Sequence, residues 1–104
     1  MGDREGDLGF RPPHPGEYLR EDILPQLGIG VSQLAEHLGV SRQAASRLVN
    51  EKAAVSMDMA VRLGQAFKNG ARFWLALQMQ YDLWETEHKG HIKVAPLWGV
   101  ASAA

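Results

Sequence analysis

Cysteine is absent from the sequence, long apolar runs are lacking, and the net charge is close to zero. Without cysteine, neither a disulfide framework nor a thiolate metal site is available. No apolar run approaches the roughly 18 residues of a membrane-spanning helix. The acidic N-terminal segment lacks the basic and apolar regions of a signal peptide. At 104 residues, these absences predict one small cytoplasmic domain with no membrane partner.

The formal net charge is only −1, whereas a dedicated nucleic-acid-binding protein is often strongly basic. The charges are nevertheless unevenly distributed. Residues 1–31 carry three basic and six acidic side chains, residues 32–72 carry six basic and three acidic ones, and the remainder carries two basic and three acidic ones. Positive charge thus gathers in the middle segment, where phosphates would bind. On charge alone, ordinary surface variation is the alternative explanation.

The middle segment contains two predicted helices joined by a tight turn. Ser32 and Ser41 are the predicted N-caps, and Gly39 stands where a helix would end with a positive φ. The apolar residues at helical spacing are Leu34, Ala35 and Leu38 in the first helix and Ala45, Leu48 and Val49 in the second. Two short helices with such a turn form the helix-turn-helix plan.

The flanking segments predict three further helices and an all-α fold. His14 to Glu17 is a predicted helix start with Pro15 at its first position; this helix turns Leu19, Ile23 and Leu27 inward and is disturbed near Leu24 by Pro25. Ser56 is predicted to cap a fourth helix, and a fifth runs from about residue 71 to 87. We expect a flexible N-terminal arm over residues 1–13, a folded domain over 14–87 and a C-terminal tail over 88–104.

The fifth helix carries two apolar stripes, separated by polar residues. One comprises Phe73, Trp74, Leu77, Tyr81 and Trp84, and the other comprises Leu75, Met79 and Leu83. A helix with one stripe needs only its own core, so a second stripe favours a partner. Burial of both stripes within the monomer is the alternative, but little chain is left to cover a second face. Dimerisation is therefore favoured. The sequence leaves open which stripe forms the dimer face; the aliphatic stripe is the candidate, because the aromatic stripe is better suited to the core.

Catalytic interpretations find little support. Ser41 and Ser46 have no His and Asp at a recognisable spacing, and neither a Gly-x-Ser-x-Gly elbow nor a phosphate loop is present. His88 and His91 would ligate zinc only with carboxylates from elsewhere, and a solvated tail is favoured instead. We predict that the protein is not an enzyme and uses no cofactor or metal.

Four groups of residues carry a family resemblance over residues 14–87. They are His14-Pro15-Gly16-Glu17, Leu38-Gly39-Val40-Ser41-Arg42-Gln43, Ser46-Arg47-Leu48-Val49-Asn50, and Phe73-Trp74-Leu75 with Tyr81-Asp82-Leu83-Trp84. With these residues the sequence resembles the HigA-type antitoxins, a branch of the Cro/C1-type (XRE) helix-turn-helix proteins. The second and third groups are shared across XRE proteins, whereas the first and last narrow the match to this branch.

The resemblance implies a five-helix, lambda-repressor-like domain that forms a homodimer on an inverted-repeat operator in double-stranded DNA. It also implies a toxin partner, typically a RelE-like ribonuclease that the antitoxin binds and silences. The leading interpretation is thus a transcriptional repressor that is also the antitoxin of a type II toxin–antitoxin pair. The runner-up is a stand-alone XRE regulator without a toxin. A pure protein-interaction inhibitor is disfavoured, because loss of DNA binding should not leave a base-reading set intact.

Carried onto this chain, the resemblance gives a recognition helix from Arg42 to about Asn50. The residues expected to read base edges are Arg42, Gln43, Ser46 and Arg47. The residues expected to contact phosphates are Ser32, Gln33, Ser41, Asn50 and Lys52. For each of these side chains, a solvated surface position is the alternative.

The sequence departs from the family pattern at two positions. Glu51 stands where the family commonly has Gly, and Ala45 stands where a larger residue is usual. We expect Asn50 to adopt the left-handed conformation in place of the missing Gly, and a recognition helix that is packed less fully at Ala45.

Overall fold

The computed structural model describes residues 10–99, and within that range it contains five helices and no strand. Helix α1 spans residues 15–27 as three successive segments: an α-helical turn Pro15–Tyr18, a π-helical segment Leu19–Ile23 and an α-helical turn Leu24–Leu27. The other helices are α2 (Val31–Leu38), α3 (Arg42–Val49), α4 (Met57–Phe67) and α5 (Ala71–Lys89). The predicted all-α, five-helix fold is confirmed. Most of the predicted arm, residues 1–9, and the last five residues of the predicted tail lie outside the described range.

Helix α1 begins as the sequence predicts, and its first turn lies against α3. His14 is the N-cap, and its Nδ1 accepts a hydrogen bond of 2.8 Å from the backbone N–H of Gly16. Pro15 occupies the first helical turn, where its missing N–H leaves no bond unmade. A Cβ atom at Gly16 would overlap the carbonyl oxygen of Leu48. Glycine therefore allows α1 to approach the backbone of α3 at this point.

The disturbance near Pro25 is wider than the sequence predicts. The backbone N–H of Leu24 donates to the carbonyl of Leu19, five residues earlier. Since Pro25 lacks an N–H and its ring crowds the carbonyl four residues before it, a wider turn accommodates it. The extra residue in that turn changes which side chains face the core. Leu19 and Leu24 are buried, whereas Leu27 is 55% exposed, so the prediction that Leu27 points inward was wrong.

A single apolar core joins all five helices. Its buried members are Leu19, Leu24, Leu34, Leu38, Leu48, Val49, Val55, Ala60, Leu63 and Trp74. Trp74 is fully buried, and its Nε1 donates to Asn69 Oδ1 at 2.8 Å. Helices α4 and α5 meet closely because Gly64 has no side chain; a Cβ there would overlap the backbone of Gly70 and Ala71.

Candidate nucleic-acid interface

Helices α2 and α3 form the predicted helix-turn-helix, and all six of its predicted inward residues are buried. Gly39 ends α2 with φ 75°. Ser41 is the N-cap of α3, with its Oγ accepting a 3.0 Å bond from the N–H of Ala44. The N-cap prediction for Ser32 was wrong, because the N-cap of α2 is Gly30, two residues earlier. There the side-chain Oε1 of Gln33 accepts from the Gly30 N–H at 3.3 Å.

An arginine of α4 stabilises the turn between the two helices. Arg62 Nη1 donates to the carbonyl of Leu38 at 2.6 Å and to that of Gly39 at 3.3 Å. These carbonyls lack intrahelical partners, and a cation is favoured at the C-terminal end of a helix. No local pattern in the sequence predicts this contact, because it joins residues 24 positions apart.

The predicted base-reading residues lie on one exposed side of α3. Arg42, Gln43 and Arg47 are exposed, and Ser46 is half-buried. Arg42 Nε donates to Ser32 Oγ at 2.8 Å. Arg47 Nη2 donates to the carbonyl of Lys52 at 3.0 Å. Since each guanidinium carries five N–H donors, both retain donors for a ligand while these contacts restrict their orientation.

The predicted phosphate-contacting residues surround this side, and several already have partners within the chain. Ser41 and Gln33 accept the capping bonds, and Ser32 accepts from Arg42. Asn50 Nδ2 donates to the Ser46 carbonyl at 2.9 Å and to Ser46 Oγ at 3.3 Å, so this amide is directed back onto α3. Lys52 is exposed in the turn after α3. Beside α3 lies an open groove of about 380 Å³, whose lining includes Gln43, Arg47 and Met59.

Helix α3 ends in a turn whose left-handed residue is Glu51. Glu51 has φ 62°, whereas Asn50 has φ −93°, so the expectation for Asn50 was wrong. The N–H of Glu51 donates to the Leu48 carbonyl at 3.0 Å, and that of Lys52 donates to the Arg47 carbonyl at 2.7 Å. This pair of bonds is the Schellman pattern, which requires a positive φ at the position of Glu51.

Arg20 of α1 contacts the same turn. Its Nη1 donates to the Val49 carbonyl at 2.7 Å, and its Nη2 forms a 2.9 Å ion pair with Glu51 Oε2. The hydrogen bonds to Glu51 and Glu21 raise the pKa of Arg20. The sequence predicted neither of these two contacts of Arg20, because no local pattern places residue 20 beside residue 51.

The loop after this turn is attached to α5 by a buried amide. Gln78 Oε1 accepts from the N–H of Val55 at 2.8 Å, and Gln78 Nε2 donates to Asp82 Oδ1 at 2.9 Å. From the sequence, the polar residues of this helix were expected only to separate its two apolar stripes. The contact instead connects the end of the helix-turn-helix to the last helix.

The two stripes of α5 differ in burial. In the aromatic stripe Trp74 is buried, and Tyr81 packs edge-on against His14 with ring centroids 4.9 Å apart. In the aliphatic stripe Leu75 is half-buried, while Met79 is 61% and Leu83 54% exposed. These three residues line an open groove of about 590 Å³. The monomer therefore leaves much of the aliphatic stripe uncovered.

The described part of the chain holds neither a metal-binding cluster nor a membrane-spanning helix. Residues 10–99 contain no group of three or more His, Asp or Glu side chains placed to hold a metal ion. Each helix between residues 10 and 99 is too short or too polar to span a lipid bilayer.

Comparison with known proteins agrees with this geometry. A helix-turn-helix family profile matches residues 19–74, more than half of the chain. An uncharacterised HTH-type transcriptional regulator of Haemophilus influenzae is 41% identical over 78 residues, which cover 75% of this chain and 73% of that protein. Antitoxin HigA-1 of Vibrio cholerae is 37% identical over 79 residues, covering 76% and 74%.

Solved structures that are similar to this chain also include antitoxins. Antitoxin GraA superposes with a TM-score of 0.76 at 35% identity, over 84% of this chain and 100% of that one. Pseudomonas aeruginosa antitoxin HigA, solved with the higBA promoter, has a TM-score of 0.75 at 38% identity, over 84% and 99%. The chain belongs to the XRE-type helix-turn-helix family of DNA-binding regulators, in the branch that includes the HigA antitoxins.

Proposed function

We propose that the protein is a sequence-specific transcriptional repressor that also acts as the antitoxin of a type II toxin–antitoxin pair. The observation that carries the first role is the exposed side of α3, where Arg42, Gln43 and Arg47 project from a capped helix with an apolar inner side. The HigA of Pseudomonas aeruginosa, which superposes on this chain, was solved with promoter DNA. Residues 14–87 are the proposed unit for DNA binding and dimerisation.

The proposed roles of the side chains follow from their chemistry. Arginine donates two parallel bonds to guanine O6 and N7, and glutamine pairs in the same way with adenine N6 and N7. Arg42, Gln43, Ser46 and Arg47 are therefore assigned to base edges. Ser32, Gln33, Ser41, Asn50 and Lys52 are assigned to phosphates, which fix the register of the protein without reading sequence.

The proposed assembly is a homodimer that uses Leu75, Met79 and Leu83 of α5. An isologous contact repeats one patch on both subunits, and a helix with an uncovered apolar side suits that arrangement. Two α3 helices related in this way would enter successive major grooves about 34 Å apart. The operator is then an inverted repeat with half-sites roughly one helical turn apart.

The proposed toxin partner is a RelE-like ribonuclease, silenced by direct binding. Support comes from the relatives named as antitoxins and from an apolar surface larger than one small domain needs. A stand-alone regulator without a toxin is the second candidate, favoured by relatives described only as HTH-type transcriptional regulators.

The DNA-binding role is tested by titrating the protein with its own promoter and with a scrambled duplex of equal length at two salt concentrations. The parent protein should prefer the promoter, and an Arg42/Gln43/Arg47 triple alanine variant should lose that preference. Equal affinity for both duplexes, or a triple variant that binds as well as the parent, would refute the proposed repressor role.

The antitoxin role predicts a small open reading frame beside this gene whose product is the toxin, and expression of that frame tests it. Expressed alone it should arrest growth, co-expression with this protein should restore growth, and the two products should co-purify. If the neighbouring product is harmless or does not bind, the stand-alone regulator is the better conclusion.

A further inference from the structure

We infer that Arg20 is a positioning residue for DNA recognition, which acts through Val49 and Glu51 on the orientation of Arg47. The inference rests on the proposed role of α3 as the recognition helix. It adds a residue of α1 that lies outside the helix-turn-helix and that the proposed function leaves without a role.

The contacts of the Arg20 guanidinium fix it at the end of α3. Each of its three nitrogen atoms has an acceptor: Nη1 the Val49 carbonyl, Nη2 the Glu51 carboxylate, and Nε the carboxylate of Glu21 at 3.0 Å. The planar group cannot rotate without losing at least one of these bonds. Val49 is the last residue of α3, so its carbonyl has no partner within the helix. Arg20 thus provides that carbonyl with a donor and places a cation at the helix C-terminus.

Glu51 links this contact to the base-reading side. An L side chain at φ 62° is strained, and the ion pair with Arg20 compensates for part of that cost. With Glu51 in this conformation, the N–H of Lys52 reaches the Arg47 carbonyl, and the Lys52 carbonyl in turn accepts from Arg47 Nη2. The same turn that Arg20 holds therefore provides the acceptor that restricts the Arg47 side chain.

Two simpler effects of Arg20 make different predictions. Its positive charge alone would attract any DNA, and its removal would weaken all duplexes alike and reduce the salt dependence. A purely structural contribution would lower the unfolding temperature and leave the specificity of the folded protein unchanged. A positioning role lowers the ratio of operator affinity to scrambled-duplex affinity while the protein remains folded.

The experiment compares Arg20→Gln with Arg72→Gln, which removes the same charge at an exposed position at the start of α5. Both affinities are measured at two salt concentrations, at a temperature where circular dichroism shows each variant folded. We expect Arg20→Gln to lower the specificity ratio about fivefold or more, because small errors of alignment weaken paired bonds to bases. Arg72→Gln should leave the ratio unchanged.

Two substitutions of Glu51 separate the carboxylate from the backbone. Both Glu51→Gly and Glu51→Ala remove the ion pair, but only glycine reaches the left-handed conformation without strain. The specificity ratio should therefore decrease from the parent through Glu51→Gly to Glu51→Ala. An Arg20→Gln ratio equal to that of Arg72→Gln would overturn the inference, and so would a lowered unfolding temperature with an unchanged ratio. A parent protein that does not distinguish the operator from the scrambled duplex would instead overturn the proposed function, and the inference with it.

Discussion

The outer side of α3 and the aliphatic side of α5 are both exposed in the monomer, but their exposure has different physical consequences. On α3 the exposed groups are the charged and amide side chains of Arg42, Gln43 and Arg47, which water solvates well. On α5 Met79 and Leu83 are more than half exposed, and apolar surface in water costs about 25 cal/mol per Å². The polar side is compatible with a monomer in solution, whereas the apolar side is most stable when another surface covers it.

The largest expected effect comes from charging the apolar side. Met79→Glu or Leu83→Glu places a carboxylate in the proposed dimer face, where burial without a partner is strongly unfavourable. The protein should sediment as a monomer at micromolar concentration, and operator affinity should fall about 100-fold or more because two linked half-site contacts become independent. Gln80→Glu, an exposed position on the same helix, is the matched control.

Analytical ultracentrifugation decides this prediction. A parent protein that is monomeric under the same conditions would contradict the dimer and, with it, the expected inverted repeat. If both charged variants remain dimeric, the dimer interface lies on another surface of the protein.

A smaller effect is expected on the polar side. Arg47→Ala should cost about 1–3 kcal/mol of operator binding and relax the preference at one base position. Its free energy of unfolding should change little, since Arg47 is exposed. Lys52→Ala, as the comparison, should weaken binding to all duplexes alike and flatten the salt dependence, as the loss of a phosphate contact does.

Anisotropy titrations against the promoter and single-base variants of it measure both effects. The distinction between reading bases and contacting phosphates fails if Arg47→Ala and Lys52→Ala alter every duplex to the same extent.

The smallest expected effect concerns His14, which lies between the two regions. Its Nδ1 accepts the capping hydrogen bond from the Gly16 N–H at the start of α1, and its ring packs on Tyr81 of α5. Burial lowers the pKa of His14 below its ordinary value of 6.5, although the charges of Glu51 and Asp82 oppose this shift. Arg11 and Arg20 lower the pKa further. The neutral ring accepts the capping bond through Nδ1, so protonation removes the cap.

The sign of the pH dependence follows from this lowered pKa. The unfolded chain binds the proton first, so His14 contributes its full stabilisation above about pH 6.5 and progressively less as the pH falls toward the folded-state pKa. Urea unfolding at about pH 7.5 and about pH 5.5 should show a larger loss of stability for the parent than for His14→Asn, which keeps a side-chain acceptor without titrating. The same loss in both proteins would contradict the assignment.

Local signals in the sequence predicted the helix-turn-helix well. Ser41 and Ser56 were predicted as caps and accept the expected N–H bonds, because an N-cap depends only on residues within one turn. Gly39 was predicted to end α2 for the same reason. The corrections fall where a nearby alternative competed, as at Gly30 in place of Ser32, or where one irregular turn shifted the helical phase of later residues, as at Leu27.

The contacts that orient α3 could not be predicted in the same way. Each of these contacts joins residues more than 20 positions apart. They are the hydrogen bonds of Arg62 with Leu38, of Gln78 with Val55 and of Arg20 with Glu51. Nothing in the neighbourhood of these polar residues distinguishes them from solvated ones. Their partners are known only when the helices are packed.

Helical periodicity and capping act over a few residues. The local sequence therefore specifies the helices, the inner side of most of them, and the polar residues on the outer side of α3. Packing between helices decides which distant residue contacts the closing turn of α3 and which side of α5 stays most exposed. Both depend on the neighbouring segments: Arg20 lies beside Glu51, while Tyr18 of α1 packs on Trp74 and the N-cap His14 packs on Tyr81. The helix-turn-helix is thus specified locally, while its orientation for DNA is fixed by residues distant in the chain.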